Sequence, residues 1–198
     1  MSQPKSRTAK QDLRRRLLTG RSRRSPIEVE RAGHGLADQM AGLIQQAGAS
    51  TVAAYLSVAA EPETGPLIER LHAQGITVLL PLVDAEHDLD WAAFGPNETR
   101  PGRFGLIEPA GARLGVTAIA AAEVICCPGL AGSIEGHRLG RGGGFYDRAL
   151  ARAQPGALRC LLLYDDEVLT AVPTDSHDQQ VDVLVTPTRT ITTSASRH

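Results

Sequence analysis

The sequence predicts an α/β fold, a single layered domain over residues 1–190 with a mostly parallel central sheet flanked by helices. Short apolar segments of strand length alternate along the chain with segments whose apolar residues have helical spacing. With 198 residues, of which 42% are hydrophobic, the chain is long enough to bury one substantial core. In such folds ligands usually bind at the carboxyl ends of the strands.

Glycine, proline and capping residues mark the ends of the predicted elements. A first helix ends near Gly20, and Ser25 and Glu28 form a capping-box pattern at the start of a second helix that runs to Gly48. Further helices are predicted over 66–73 and 145–153. Strands are predicted over 51–57, 76–80 (ended by Pro81), 89–94, 123–127, 158–164 and 181–186. We expect irregular structure over 95–115 and a disordered tail over 191–198.

Charge and cysteine content narrow the class of protein. Residues 1–24 carry nine basic side chains and one acidic one, but no aromatic residue interleaves them, which argues against nucleic-acid binding and favours a mostly solvated helix face. The sequence has no apolar run of membrane-spanning length. Its three cysteines lack metal-site or redox spacing, so buried reduced thiols are expected. We therefore expect a cytoplasmic protein that binds neither membrane nor nucleic acid.

A glycine-rich segment carries the clearest chemical pattern. Gly140, Arg141 and the three glycines that follow precede the predicted helix at Phe145. Glycines let backbone N–H groups approach one point, and a helix start adds further free N–H groups, so the segment can bind an anion. Arg138 and Arg141 suit phosphate oxygens, and Asp147 suits Mg²⁺. A flexible turn with solvated arginines is the alternative, because glycine motifs alone are weakly specific.

This segment resembles the signature of the 5-formyltetrahydrofolate cyclo-ligases, which are also called methenyltetrahydrofolate synthetases. The matching run is PGLAGSIEGHRLGRGGGFYDRAL at 128–150. Further stretches that are similar to the family follow in its order: KQDLRRRL at 10–17, YLSVAAE at 55–61, Pro81, RFGLIEP at 103–109 and VPTDSHDQQVDVLVTP at 172–187. The resemblance covers nearly the whole chain and implies a Rossmann-like fold of the cyclo-ligase type.

The resemblance implies ATP and Mg²⁺ as cofactors and a role for individual residues. ATP would be bound by Lys10, Arg14, Arg138, Gly140, Arg141, Gly142, Gly143, Gly144, Phe145 and Tyr146. The folate would be bound by Tyr55, Leu56, Glu61 and Tyr146, with the carboxylate of Glu61 on the pterin ring nitrogens. Arg138, Arg141 and Asp147 would be catalytic, and Asp147 would bind the metal. On this interpretation the pterin and phosphate sites are separate. A helix-entry role is the alternative for Glu61.

The implied reaction closes 5-formyltetrahydrofolate, with or without a polyglutamate chain, into 5,10-methenyltetrahydrofolate. ATP would phosphorylate the formyl oxygen, N10 would attack the formyl carbon, and phosphate would leave. No Ser-His-Asp, Cys-His or zinc-like arrangement suggests another chemistry, and His177 beside Asp178 is interpreted as structural. The sequence predicts no oligomeric state.

Two residues depart from the family pattern and keep alternatives open. Gly143 stands where the family commonly has lysine, and Phe145 where it has tyrosine. Loss of a cation at 143 would weaken neutralisation of the transferred phosphoryl group, although Arg138 or Arg141 could supply it. A non-catalytic folate or nucleotide binder is thus one alternative. A sugar-phosphate isomerase on a related scaffold is another, because fold does not fix function.

Overall fold

The computed structural model describes residues 4–84, 87–95, 99–101 and 107–197. In these ranges the α-helices are α1 (Pro4–Arg21), α2 (Pro26–Ala47), α3 (Gly65–Ala73) and α4 (Phe145–Leu150). The strands are β1 (Thr51–Ala53), β2 (Thr77–Val83), β3 (Leu89–Ala93), β4 (Thr99–Pro101), β5 (Ile107–Pro109), β6 (Val124–Pro128), β7 (Ala131–Ser133), β8 (Arg138–Leu139), β9 (Leu158–Leu162), β10 (Val168–Leu169), β11 (Val183–Val185) and β12 (Thr190–Thr192). Short 3₁₀ helices cover Ala118–Ala121, Asp165–Glu167 and Ser194–Arg197.

The predicted central sheet is confirmed. Among the described residues it has seven strands in the order β12-β11-β9-β6-β1-β2-β3. The five inner strands are parallel to one another, and an antiparallel strand closes each edge. Two small sheets lie apart from it, in the orders β10-β7-β8 and β4-β5.

Side chains alternate between the two faces of the inner strands, and helices cover both faces. On one face Val52 and Cys126 pack with Leu36 and Met40 of α2 and with residues of α3. On the other face Ala53, Ile125 and Cys127 pack with Ile119 and with Ala149 and Leu150 of α4. The neighbouring cysteines Cys126 and Cys127 therefore belong to opposite halves of the core.

The cysteines are buried and free, as the sequence predicts. Burial raises the pKa of the Cys127 thiol to about 12 and raises the pKa of Cys126 and of Cys160 as well. Because the thiolate is the reactive form, none of the three is suited to act as a nucleophile.

The capping box at the start of α2 forms as predicted. The Ser25 hydroxyl accepts a hydrogen bond from the Glu28 backbone N–H, and the Glu28 carboxylate accepts one from the Ser25 N–H at 2.8 Å. Gly48 closes the helix with a left-handed φ of 62°, a conformation that costs glycine little.

The prediction that Pro81 ends its strand is wrong, because the strand continues through this residue. Strand β2 extends to Val83, and Pro81 lies opposite Trp91 of β3. Pairing between β1 and β2 stops at Ala53 and Leu79, so the missing N–H of Pro81 costs no hydrogen bond to β1.

The prediction of irregular structure over 95–115 is confirmed at residues 110–115 and wrong at two short strands, and the prediction of a disordered tail is wrong where the structure describes the tail. Thr99–Pro101 and Ile107–Pro109 form an antiparallel pair. Residues 96–98 and 102–106 lie outside the described residues, and so does most of the RFGLIEP stretch at 103–109. At the carboxyl end Thr190–Thr192 pairs with β11, and a 3₁₀ helix follows at Ser194–Arg197. The Thr193 side chain is buried and donates to the carbonyl of Val181 at 2.7 Å.

In the part of the chain that the structure describes, no helix is both long and apolar enough to cross a membrane.

Candidate functional site

The candidate site lies where the sheet changes its direction of winding. Strands β1 and β6 are neighbours, but the chain continues from β1 through α3 to β2 on one side and from β6 through α4 to β9 on the other. Ligands of open α/β sheets bind in the crevice beyond the carboxyl ends of such strands. Tyr55 and Leu56, which follow β1, and Pro128 and Gly129, at the end of β6, line a cavity of about 680 Å³ there.

The structure brings the predicted site residues to this one cavity. Its lining includes the predicted nucleotide residues Lys10, Arg14, Arg138, Gly140, Arg141, Gly142, Gly143, Gly144, Phe145 and Tyr146. It also includes the predicted folate residues Tyr55, Leu56 and Glu61, and the predicted metal ligand Asp147. Residues from α1, the loop after β1, the glycine-rich loop and α4 therefore meet, although they are up to 137 positions apart in the chain.

The glycine-rich loop is held against α1. The guanidinium of Arg14 donates through Nε to the carbonyl of Gly140 at 2.8 Å. Gly142 has a φ of 103°, and a Cβ there would come within 3.3 Å of the Arg14 Cζ atom. The positive φ favours glycine at 142, and a side chain there would also have to move the Arg14 guanidinium by a few tenths of an ångström.

The helix after the loop is shorter than predicted. It ends at Leu150, so α4 has six residues instead of the nine expected over 145–153. Such a short helix contributes little dipole, and most of the positive charge for an anion must come from the basic side chains around the loop.

Two carboxylates that the sequence analysis did not assign to the site bind Lys10. Its Nζ donates to Asp175 at 2.7 Å and to Asp178 at 2.6 Å. Burial opposes the charge on Lys10, but the hydrogen bonds and the negative charges of the two carboxylates together outweigh it and raise the pKa of Lys10 above its ordinary value. His177, interpreted from sequence as structural together with Asp178, also lines the cavity. The potential ligand atoms of residues 175, 177 and 178 lie within 4.8 Å of one another.

The predicted metal ligand Asp147 forms an ion pair with Arg138. Arg138 Nη2 donates to its Oδ1 at 2.6 Å, and the backbone N–H of Gln179 donates to the same oxygen at 3.2 Å. The Arg138 side chain is only 5% exposed, and its Nε has no hydrogen-bond partner among the described residues. A buried donor without a partner suits an anionic ligand in the cavity.

Glu61 connects the predicted folate and nucleotide residues directly. Its Oε1 accepts from Nε of Arg141 at 3.0 Å, and its Oε2 accepts from the Val58 N–H at 3.1 Å. The next helix begins at Gly65 with Thr64 as its N-cap, so the helix-entry interpretation of Glu61 is wrong. Glu61 and Arg141, which were assigned to different predicted sites, are in contact, so the two predicted sets of residues are adjacent.

Two tyrosine hydroxyls in the cavity wall lack a protein partner. In the described part of the chain the Tyr55 and Tyr146 hydroxyl oxygens are buried and form no hydrogen bond. Burial raises the pKa of both groups well above the ordinary value, so both remain protonated donors. Polar groups of this kind are usually satisfied by a ligand or by water.

Gly143, which stands where the family commonly has lysine, lies close to the ring of Phe145. A Cβ at position 143 would lie 2.7 Å from Cδ2 of the Phe145 ring, closer than side chains tolerate. Gly143 is not among the glycines with positive φ, in contrast to Gly142 and Gly144. A side chain at 143 would therefore require the Phe145 ring to shift, whereas the backbone conformation at 143 does not demand glycine.

The sequence and fold of this chain match known proteins over most of its length. The model of the 5-formyltetrahydrofolate cyclo-ligase family matches residues 6–187. A 5-formyltetrahydrofolate cyclo-ligase of Mycolicibacterium smegmatis is 37% identical over 192 residues, which are 92% of this chain and 96% of that protein. One from Escherichia coli is 31% identical over 180 residues, covering 89% and 96% of the two chains.

A solved structure agrees with the sequence matches. The 5,10-methenyltetrahydrofolate synthetase of Aquifex aeolicus superposes with a TM-score of 0.81 at 29% identity, and the match covers 93% of each chain. With a family model that spans residues 6–187, relatives that match along almost their whole length and a common fold, this chain belongs to the 5-formyltetrahydrofolate cyclo-ligase family.

Proposed function

We propose that this enzyme uses ATP and Mg²⁺ to convert 5-formyltetrahydrofolate into 5,10-methenyltetrahydrofolate, with release of ADP and phosphate. The observation that carries the proposal is the single cavity in which Glu61 contacts the arginine of the glycine-rich loop. A carboxylate suited to the pterin edge and a cationic loop suited to phosphate are thus adjacent. Phosphoryl transfer between two bound substrates requires such proximity.

The proposed reaction needs positioning and charge more than a covalent enzyme intermediate. The formyl oxygen attacks the γ-phosphorus and ADP leaves; N10 then attacks the activated carbon and loses its proton, and the C–O bond breaks as phosphate departs. Arg138 and Arg141 would stabilise charge on the transferred phosphoryl group, and Lys10 and Arg14 would bind phosphate oxygens. Tyr55 and Tyr146 would donate hydrogen bonds to the folate or the nucleotide.

The carboxylates of the cavity fit a divalent cation. Mg²⁺ prefers oxygen ligands and is usually held by one or two carboxylates together with phosphate oxygens. Asp147 would hold it, with Asp175 or Asp178 as a second ligand; all three line the cavity. When bound, the ion would supply positive charge to the polyphosphate. A polyglutamate chain on the substrate and a cytoplasmic location stay predictions.

The activity is tested by mixing purified protein with 5-formyltetrahydrofolate, ATP and Mg²⁺ and recording the absorbance of methenyltetrahydrofolate. We expect product only when all components are present, with ADP formed in equal amount. EDTA should stop the reaction, and excess Mg²⁺ should restore it. Equal rates without nucleotide would refute the proposal, and an isomerase would show no need for ATP.

The alternative of a non-catalytic binder rests on Gly143 and is tested by Gly143→Lys. Because Phe145 blocks the first side-chain atom and Arg138 and Arg141 supply charge already, we expect no gain in turnover, or a fall. A missing essential cation would instead give a gain of about ten- to a thousandfold.

Gly143→Gln is the matched control for Gly143→Lys, since it adds similar bulk without charge. Melting temperature and ATP affinity should be measured on both variants. A gain of tenfold or more in the lysine variant alone, with stability unchanged, would show that the natural loop lacks a needed cation.

A further inference from the structure

A buried ion pair joins the end of α1 to the backbone of the cavity wall. Arg21 donates to both carboxylate oxygens of Glu167, from Nε at 2.6 Å and from Nη2 at 2.7 Å, and both side chains are 3% exposed. The same Nη2 donates to the carbonyl of Gly129 at 2.6 Å. Gly129 lines the cavity just beyond the end of β6, so this pair fixes one of its walls.

Tyr164 connects this ion pair to the segment that carries Glu61, another residue of the cavity lining. Its backbone N–H donates to Oε2 of Glu167 at 3.0 Å. Its hydroxyl lies 3.3 Å from the carbonyl oxygen of Glu61 and 3.4 Å from that of Ala60, and these two oxygens share its one hydrogen as acceptors. The guanidinium of Arg24, in the turn after α1, lies over the ring at 3.9 Å from its centroid, which restricts the ring further.

The segment that carries Glu61 needs such support. Residues 58–61 belong to no helix or strand, and Ala59 has a φ of 52°, a left-handed conformation that is unfavourable for a residue with a Cβ. Within the segment the Glu61 N–H donates to the Val58 carbonyl at 3.1 Å. Contacts from outside the segment must offset the cost at Ala59, and the Tyr164 hydroxyl supplies one such hydrogen bond, shared between two carbonyl oxygens.

We propose that Tyr164 is a positioning residue for the Glu61 carboxylate, held in place by the Arg21–Glu167 pair. This inference rests on the proposed function, in which Glu61 binds the pterin. A buried ion pair contributes little net stability on average, because desolvation of both charges offsets their attraction. Arg21, Glu167 and Tyr164 form a network whose contacts end on Gly129, Ala60 and Glu61. We therefore expect the network to act mainly on the shape of the cavity.

The test is Tyr164→Phe, which removes one oxygen and keeps the buried ring, so the variant is expected to fold. The measurement is the dissociation constant for 5-formyltetrahydrofolate without nucleotide. We expect it to rise about two- to tenfold, the range of one neutral hydrogen bond. Turnover at saturating folate and ATP should stay near that of the natural protein, because Tyr164 touches neither reacting group.

Two further variants separate positioning from general stabilisation. Asp38→Asn is the matched control: it weakens a surface ion pair with Arg70 that lies outside this network, its side chain is 74% exposed, and the change should not affect folate binding. In a Glu61→Ala background, Tyr164→Phe should have no further effect on folate binding, because a positioning residue acts only through the group it positions.

The outcomes distinguish this inference from the proposed function. If the natural protein binds no 5-formyltetrahydrofolate, both fail. If it binds and Tyr164→Phe leaves the dissociation constant unchanged, lowers only the melting temperature, or acts equally with and without Glu61, the positioning role alone is wrong.

Discussion

Arg138→Ala is expected to lower kcat/KM for ATP by about ten- to a hundredfold. A charge-assisted hydrogen bond to a phosphate group is worth about 1.5–3 kcal/mol when it is shielded from water, and the Arg138 side chain is only 5% exposed. The substitution also leaves the carboxylate of Asp147 without its ion-pair partner. Steady-state kinetics with ATP varied at saturating folate measures the effect.

Arg141→Ala provides the comparison within the same loop. The Arg141 side chain is 51% exposed, so water screens its charge and we expect a smaller loss than for Arg138. Arg70→Ala, which removes a surface ion pair with Asp38, is the control with unchanged kinetics. Unchanged kcat and KM for ATP in both the Arg138 and Arg141 variants would contradict the phosphate-binding role of the loop.

Glu61→Gln is expected to raise the KM for 5-formyltetrahydrofolate by about ten- to a hundredfold. The neutral amide keeps the shape of the side chain but loses the charge that strengthens hydrogen bonds to the pterin N–H and NH₂ groups. Folate affinity that equals that of the natural protein would refute the pterin-binding role.

The same variant is expected to change ATP binding, because Glu61 and Arg141 are partners. Without the carboxylate, Arg141 is free to bind phosphate, so ATP should bind more tightly in the absence of folate. The gain is limited to about fivefold, since a half-exposed ion pair contributes no more than about 1 kcal/mol. Calorimetric titration of ATP, with and without folate, tests this.

Coupling between the two ligands gives a second criterion. In the natural protein a pterin that occupies Glu61 should release Arg141, so folate should tighten ATP binding, and ATP should tighten folate binding by the same factor. In Glu61→Gln this mutual effect should disappear. ATP affinity that is independent of folate in both proteins would show that the Glu61–Arg141 contact has no role in binding.

Local sequence signals predict the framework of the fold well. The capping box at Ser25 is complete within four residues, and apolar runs identify the buried inner strands. Pro81 was misinterpreted because its tolerance in β2 depends on where β1 stops, which is a property of the assembled sheet. Strand β12 was missed because it also depends on the assembled sheet: its polar residues Thr190 and Thr192 adopt strand structure by pairing with β11.

The residues of the candidate site also fall into those that a local sequence signal predicts and those that only the folded chain brings together. The glycine-rich loop, its arginines and Asp147 lie within ten residues, so one motif predicts that they act together. The partners of Lys10 are 165 and 168 positions away, and Arg21 meets Glu167 across 146 positions. No periodicity or spacing shows such pairs; the SHD stretch at 176–178 was the only local signal for the acidic side of the cavity.

The ion pairs inside the cavity have a consequence for which form of the nucleotide can enter. Among the described residues its lining has four basic side chains, Lys10, Arg14, Arg138 and Arg141, and four acidic ones, Glu61, Asp147, Asp175 and Asp178. An anion that attracts Lys10 or Arg138 draws a cation away from a half-buried carboxylate, and the loss of that ion pair costs free energy. Inorganic phosphate or free ATP brings no cation that could take the place of the lysine or arginine beside the carboxylate. A nucleotide that arrives with its magnesium ion would return positive charge to these carboxylates, so we expect the cavity to bind the metal complex in preference to the bare anion.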